Sequence, residues 1–549
     1  MSERKTRTLA IVALVIIVIA AIFGGWYYYS QSIKPAPPKT LVVGTVRTFE
    51  FSWDPAVSWG SLEMWVHRHI FDTLVEYRET GEGLELVPGL ATSWEASPDG
   101  MEYTFKLREG VNFIDGTPVD ANAVKFSIES CNELGDLQSY YTSMVDHVEV
   151  IDDYTVKIVL KYAYSPFVAS TSWTAFSIIS PTAVEQHGRE WLHDNAVGSG
   201  RFKLVEYVPK EKTVLEANKE HWDPPKSDRV IIRTFPDETG LRLALERGEV
   251  DLIFALLPPE DLVALKENPE FNVYRGGAPA LLYWDFTGKA SPYNNSAVKK
   301  AICSAMDKEE IARVIFKGTM TPSYSYMPTT VWTYTPVFKE LYPYDVEKAR
   351  QYLKEAGYSE GVTLTLYIDS TQKYWRFCGE MLKEQLAKAG ITLNLEIIES
   401  ATLWDMVYKG ELLHSWFNWW GPVYPDPHEI LEGTLHSEFT PWTGSFYKNP
   451  ELDKVIEEDR VTLDKQKREQ LLMQIQRMAA QDVPYIPLFD WVDVIVAHKY
   501  VKGGIDIYLR HPRFLDLLWV EKGSQAIVAS WIVTNIETLS ERLKSVQVD

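Results

Sequence analysis

The stretch 344–398 constrains this chain more than any other. It reads "YDVEKARQYLKEAGY", then the strand-like "VTLTLYI", a helical segment ending at Gly390, and a second strand, "ITLNLEII". Strand, helix and strand in alternation mark a sheet flanked by helices, so the fold class is α/β. Punctuation nearby agrees. "NNSAVKKAICSAM" opens on an Asn/Ser cap, and "DKEEIARVIFKG" sets Asp307 and Glu310 at capping-box spacing with Gly318 as its stop. A long helical region, "PELDKVIEEDRVTLDKQKREQLLMQIQRMAAQDV", is followed by a return to strand in "PYIPLFDWVDVIVAH".

The first half reads differently. "LVVGTV" is a buried strand, and a helix is expected from Leu62 to Leu74. "ATSWEASPDGMEYTFKLREGVNF" alternates apolar and polar residues about an "SPDG" turn, and "VEVIDDYTVKIVLKY" repeats that form about Asp152-Asp153. Both are hairpins. At 549 residues the chain exceeds one core, so two or three domains are expected.

The N-terminus carries its own signal. Arg4, Lys5 and Arg7 precede an uncharged run, and Thr8 through Tyr29 is 22 residues. At about 1.5 Å per residue this spans roughly 30 Å of hydrocarbon. Trp26 and Tyr27–Tyr29 suit an interfacial aromatic belt. Residues 1–29 are therefore expected to be a membrane anchor with the bulk of the chain extracytoplasmic; a cleaved signal near "AAIFGG" is the alternative, and both export the body. Residues 30–40, "SQSIKPAPPKT", form an extended Pro-rich linker.

The net charge is −21, and the first 39 residues hold five basic residues and one acid, so the body is more acidic still. Such a field disfavours nucleic acid. Cys131, Cys303 and Cys378 show no metal spacing, and no cofactor is expected. Of the "HRH" pair His67 and His69, which could offer two imidazoles to nickel, one or both are expected instead on a solvated helix face. Past Trp519, apolar positions from Ile527 to Val546 recur at three- and four-residue spacing, predicting an amphipathic C-terminal helix in 521–549 that docks on the body, a partner or a second copy.

The order of motifs resembles the peptide/nickel (dipeptide/oligopeptide-binding) class of extracellular solute-binding proteins that serve ABC importers. The matching segments include "WDPA…IFDTLVEY" (53–77), "LVPGLATSWEASPDGMEYTFKLREGVNFIDGTPVDANAVKFS" (86–127), "AVGSGRFKLVEY" (196–207), "LALERGEVDLIF" (243–254), "YNNSAVKKAICSAMDKEEI" (293–311) and "YKNPELDKVIEE" (447–458). The resemblance implies a periplasmic-binding-protein-like fold of two hinged lobes. Lobe I would comprise 41–84, 197–283 and 486–520, an inserted domain 85–196, and lobe II 284–485. It also implies closure around a ligand, delivery to an ABC permease and no catalysis. An exported glycoside hydrolase and a ligand sensor are the rivals from other classes.

In peptide-binding members the segment matching 416–427 lies in the cleft and carries an aspartate for the peptide's amino group; that position here is Val423. A second cleft position falls at Ser58 or Trp59, where peptide binders can have an acid. The expected ligand-binding residues are Trp59, Ser61, Trp416, Trp419, Trp420, Val423, Tyr424 and Asp426, with Trp442 nearby. Indoles pack well on sugar rings. The expected ligand is therefore an oligosaccharide or oligopeptide, with free-amine peptides disfavoured unless Asp426 or another amine site serves.

Overall fold

The computed structural model describes residues 38–521 apart from 50–51, 81–82, 137, 256, 276–279, 330, 422, 425, 492–493 and 505–514. The expected anchor, most of the linker and the expected C-terminal helix lie outside the described residues. Among the described residues no helix is long and apolar enough to cross a membrane.

The strand–helix–strand reading of 344–398 is realised in a six-stranded sheet. Val362–Asp369 and Ile391–Ile398 pair in parallel, and the helix Lys373–Ala387 packs against both strands. The sheet runs in the order Thr321–Pro322, Tyr485–Trp491, Ala280–Phe286, Ser415–Trp420, Val362–Asp369, Ile391–Ile398. A seven-stranded sheet is built on Thr40–Thr45, which is parallel to both Arg229–Thr234 and Leu252–Phe254. Both hairpins join into a separate four-stranded antiparallel sheet, Ala91–Ala96, Glu102–Leu107, Thr155–Leu160, Val145–Asp152. The helix Ala121–Leu134 contacts its last two strands. Asp120 caps that helix through the Ala123 N–H, and Gly135 ends it in the left-handed region at φ 63°.

Two passages link the large sheets, between Arg275 and Ala280 and between Trp491 and Val494. The strands on either side are antiparallel neighbours: Phe271–Arg275 with Val494–His498 in the first sheet, Ala280–Phe286 with Tyr485–Trp491 in the second. The passages therefore fall several residues away from the 283/284 and 485/486 divisions read from sequence. Tyr485–Trp491 belongs with the second sheet because it pairs there, and pairing leaves no local mark on a strand that is apolar but for Asp490.

The helix Ser61–Ile70 corrects the expectation for His67 and His69. Both imidazoles are buried, and only Arg68 among the three residues of "HRH" is partly exposed. Met64 packs into the core of the four-stranded domain while Leu62, Trp65, Val66 and Ile70 pack into that of the first sheet. A helix gripped on both sides has no solvated face. Burial lowers the His67 pKa to about 3, so the ring is neutral between Trp53 and Phe71. Among the described residues no group of three or more His, Cys, Asp or Glu side chains could hold a metal ion.

The "VGSGRF" glycines answer to close approach rather than to a turn. A Cβ on Gly198 would stand 2.2 Å from the Ile70 carbonyl oxygen, and one on Gly200 would stand 2.5 Å from the Ile70 carbonyl carbon. Gly200 N–H donates to Ile70 O at 2.9 Å, and Ile114 N–H donates to Gly198 O at 3.0 Å. This backbone strip thus joins the helix end to the four-stranded domain. Gly198→Ala and Gly200→Ala are each expected to destabilise by about 1–3 kcal/mol through forced displacement of backbone, read as a lower thermal midpoint with native-like circular dichroism.

Candidate functional site

Three strands of the second sheet end together where the chain passes to the first. Trp420 closes Ser415–Trp420, Leu281 lies at the start of Ala280–Phe286, and Asp490 lies at the end of Tyr485–Trp491. Leu281 is directly opposite both Trp420 and Asp490, so the three side chains form one row on one face. Asp490 is 3% exposed. Its Oδ2 accepts from the Thr329 amide at 3.0 Å and from the Thr329 hydroxyl, while its Oδ1 is buried without a hydrogen bond. Burial raises the Asp490 carboxyl above its ordinary range, and the hydrogen bonds from Thr329 and Ser323 only partly oppose this. Trp420 is half-buried, and its indole N–H is also enclosed without an acceptor. The row therefore offers one donor and one acceptor on either side of Leu281.

Of the other indoles in this strand, Trp419 is half-buried and packs against the large core of the second sheet. Trp416 corrects the expectation of a ligand contact. It is fully buried in a closed apolar cluster with Leu403, Val407 and Leu412, because alternation turns it toward the helix Ser400–Tyr408. Trp442 is 63% exposed and, among the aromatic rings of the described residues, meets only the edge of Tyr408.

The segment after the strand leaves the second sheet for the four-stranded domain. Val423 and Tyr424 are buried in that domain's core cluster beside Tyr141, Phe167 and Trp173. The Tyr424 hydroxyl lies 2.7 Å from that of Tyr164. Val423 thus sits in an apolar setting that would leave an ammonium uncompensated. Asp426 likewise departs from the expected role. It caps the helix Pro427–Leu435 through the His428 N–H and takes both Arg468 Nη atoms at 2.7 and 2.8 Å. A carboxylate held by a bidentate guanidinium is not free for a ligand's amine.

Arg468 also reaches Asp459, which accepts from His428 Nδ1 at 2.8 Å, and His428 Nε2 lies 3.3 Å from Glu432, itself paired with Arg460. Burial alone would lower the His428 pKa, but Glu432 and Asp459 together raise it to about 9. Burial pushes Glu432 up, yet His428 and Arg460 bring it down to about 2. The network abuts the four-stranded domain, where Ser165 donates its N–H to Arg460 O at 2.6 Å and its hydroxyl to Asp459 O at 3.0 Å.

Trp59 comes from the other side, in the loop before Ser61–Ile70. It is half-buried, its ring lies 5.9 Å from Tyr141, and its indole N–H is enclosed without an acceptor. Gln138 fixes this loop, donating to Ser58 O at 2.6 Å while accepting from the Trp173 indole at 2.9 Å. Ser61 is the first residue of the helix, and its side chain lies outside those described. Sequence reasoning missed Asp490 and Gln138. The only available signal was an acid, one of two, inside the otherwise apolar run "PLFDWVDVIV".

Residues 85–441 match the middle region of the bacterial extracellular solute-binding proteins, family 5, and the chain belongs to that family. It is 29% identical over 478 residues to the probable D,D-dipeptide-binding periplasmic protein DdpA of Escherichia coli (strain K12), covering 85% of this chain and 92% of the relative. Among solved structures it is similar to the periplasmic binding protein DppA of Helicobacter pylori in complex with the peptide STSA. Sequence identity there is 27% and the TM-score 0.74, over 88% of this chain and 98% of the other. NikA of Brucella suis in complex with Fe(III)-EDTA shares the fold at 24% identity and TM-score 0.79, over 88% and 100%. The chain is a solute-binding receptor of an ABC importer with a periplasmic-binding-protein-like fold. It is not an enzyme, which removes the hydrolase reading.

Removing one member of the buried ion network strands its partners, so Arg468→Met is expected to destabilise by about 3–5 kcal/mol. A group whose pKa is raised on folding stabilises fully below its unfolded value, near 6.5, and loses that contribution as pH climbs through the folded value. The thermal midpoint should therefore fall between pH 7 and about 9, and His428→Gln should flatten that fall.

Proposed function

We propose that the chain is a membrane-anchored extracytoplasmic receptor that closes two lobes around a short peptide and hands it to an ABC permease. The amino end of the peptide sits at Asp490 rather than at the position held by Val423. The observation carrying this reading is the buried Asp490 carboxylate, met by the hydroxyls of Thr329 and Ser323 but by no cation among the described residues, in a row with the enclosed indole N–H of Trp420. Burial makes the lone carboxylate costly, and a ligand ammonium relieves that cost. Trp420 and Trp59 then donate to carbonyl or carboxylate oxygens of the ligand. The relatives' names support a peptide: DdpA concerns a D,D-dipeptide, the GsiB proteins concern glutathione, and the Helicobacter pylori protein holds a tetrapeptide.

In this reading the two lobes are the bodies built on the large sheets, whose neighbouring strand pairs Phe271–Arg275 with Val494–His498 and Ala280–Phe286 with Tyr485–Trp491 would carry hinge closure. Contacts bridge the second sheet's helices to the first on one flank, Tyr374 hydroxyl to Glu260 at 3.1 Å, and to the four-stranded domain on the other, through Tyr164 and Ser165. Contacts of this kind suit a closed form, the state a permease would recognise. Anchoring rests on the uncharged run of residues 8–29.

An oligosaccharide is the second reading, favoured by the half-buried indoles of Trp419 and Trp420. A thermal-shift screen against free-amine peptides, their N-acetyl forms and oligosaccharides separates the two, since a binder stabilises in proportion to its saturation. Free-amine peptides should raise the midpoint, and Asp490→Asn should weaken them by about 2 kcal/mol or more, as for truncating one side of a buried charge pair. Stabilisation by oligosaccharides alone would replace the peptide reading. Trp420→Ala and Trp59→Ala should each cost about 1–3 kcal/mol in binding under either reading.

A further inference from the structure

The segment "LREGVN" belongs to the block that most specifically carries the family resemblance, yet none of the candidate ligand-binding residues lies in it. Arg108 to Asn112 instead line a separate cavity of about 300 Å³, where the four-stranded domain meets Ser199 to Trp222 of the first sheet. The cavity shares no residue with the Trp59, Trp420 and Asp490 constellation.

Its walls are charged in an unusual way. Arg108 is partly buried; its Nε donates to Gly89 O at 2.8 Å, and its guanidinium carbon stands 4.9 Å from the centre of the Trp222 ring. Trp222 in turn stacks on His221 at 3.8 Å. His221 is fixed by the Asp223 amide, which donates to Nδ1 at 2.9 Å, and by Asp72, 3.3 Å from Nε2. The guanidinium is therefore held in place, but among the described residues nothing hydrogen-bonds its two terminal nitrogens. Glu109 and Glu220 line the same cavity, and neither forms an ion pair with it. This is notable in a chain with 76 acidic and 55 basic residues. Next door, Arg201 is engaged by Glu76 at 3.1 Å and by Asp223 at 2.8 Å.

A fixed guanidinium with both terminal amino groups free presents the fork that matches a carboxylate. A simple anion would meet the two glutamates, and a simple cation would meet Arg108. A molecule carrying both charges a few bonds apart satisfies each wall. The volume sits at the lower end of the range for small-molecule sites, about 300–1,000 Å³, and corresponds to about ten waters' share of liquid volume. We propose that this cavity is a second binding site, distinct from the interlobe cleft, that takes a free α-amino acid, its carboxylate on Arg108 and its ammonium toward Glu109 and Glu220.

Isothermal titration of the full chain with L-alanine and L-leucine tests this, with L-alaninamide and N-acetyl-L-alanine as controls that each lack one of the two charges. The free amino acids should bind with one-to-one stoichiometry and each control should bind at least about tenfold more weakly, the factor set by one lost charge-assisted contact. Arg108→Gln and Glu220→Gln should each weaken L-alanine by about the same factor. Glu220 is exposed, so its variant keeps the test open even if loss of the Gly89 bond impairs folding of the Arg108 variant. No heat with either amino acid at millimolar concentration would overturn the proposal. So would binding that treats the controls like the parent compounds, or that is indifferent to Glu220→Gln.

Discussion

Everything in this fold is arranged around one constraint: two chain segments pass side by side between the large sheets, and each pair of flanking strands is hydrogen-bonded to its neighbour in both sheets. Paired strands hold each other in register, so each side of the join is stiff against shear. That geometry also places Trp420, Leu281 and Asp490 at the one end of the second sheet facing the join. The receptor function of the family and the position of the candidate site follow from the same backbone pairing.

The second body meets the four-stranded domain through buried Val423 and Tyr424 and the neutral hydrogen bonds of Tyr164 and Ser165 rather than by sheet pairing, and a charge network stiffens its own side of that contact. Asp426, Arg468, Asp459, His428 and Glu432 form a continuous buried chain, beginning at a helix cap and ending at the backbone contacts of Ser165. Taken singly, buried charges are costly; linked in this way each satisfies the next. The same chain explains why an aspartate placed in a recognised ligand segment does not serve the ligand. Its partner is internal, and the nearby Val423 and Tyr424 belong to an apolar core.

Several elements were legible in advance because their signals are local. The parallel pair about residues 362–398, the hairpins about "SPDG" and Asp152-Asp153, and the caps at Asn295 and Asp307 all appear where spacing and turn chemistry put them. The misses share a cause. His67 and His69 read as solvated because a helix bearing Arg68 between them looks amphipathic, but a helix gripped by two cores buries both faces. Trp416 and Trp420 lie on the same face of one strand; only the neighbouring helix seals the first and spares the second.

By itself the sequence determined the α/β class, the hairpin domain, the family and the indole-rich strand, since periodicity, caps and motif order are properties of adjacent residues. Tertiary structure alone decided which indoles are half-exposed, that Asp426 is consumed by Arg468, that Asp490 and Trp420 flank Leu281 in one row, and that Arg108 is left without a carboxylate. Those facts depend on residues tens to hundreds of positions apart meeting across sheets and domains, and no local pattern encodes which distant charge a side chain will meet.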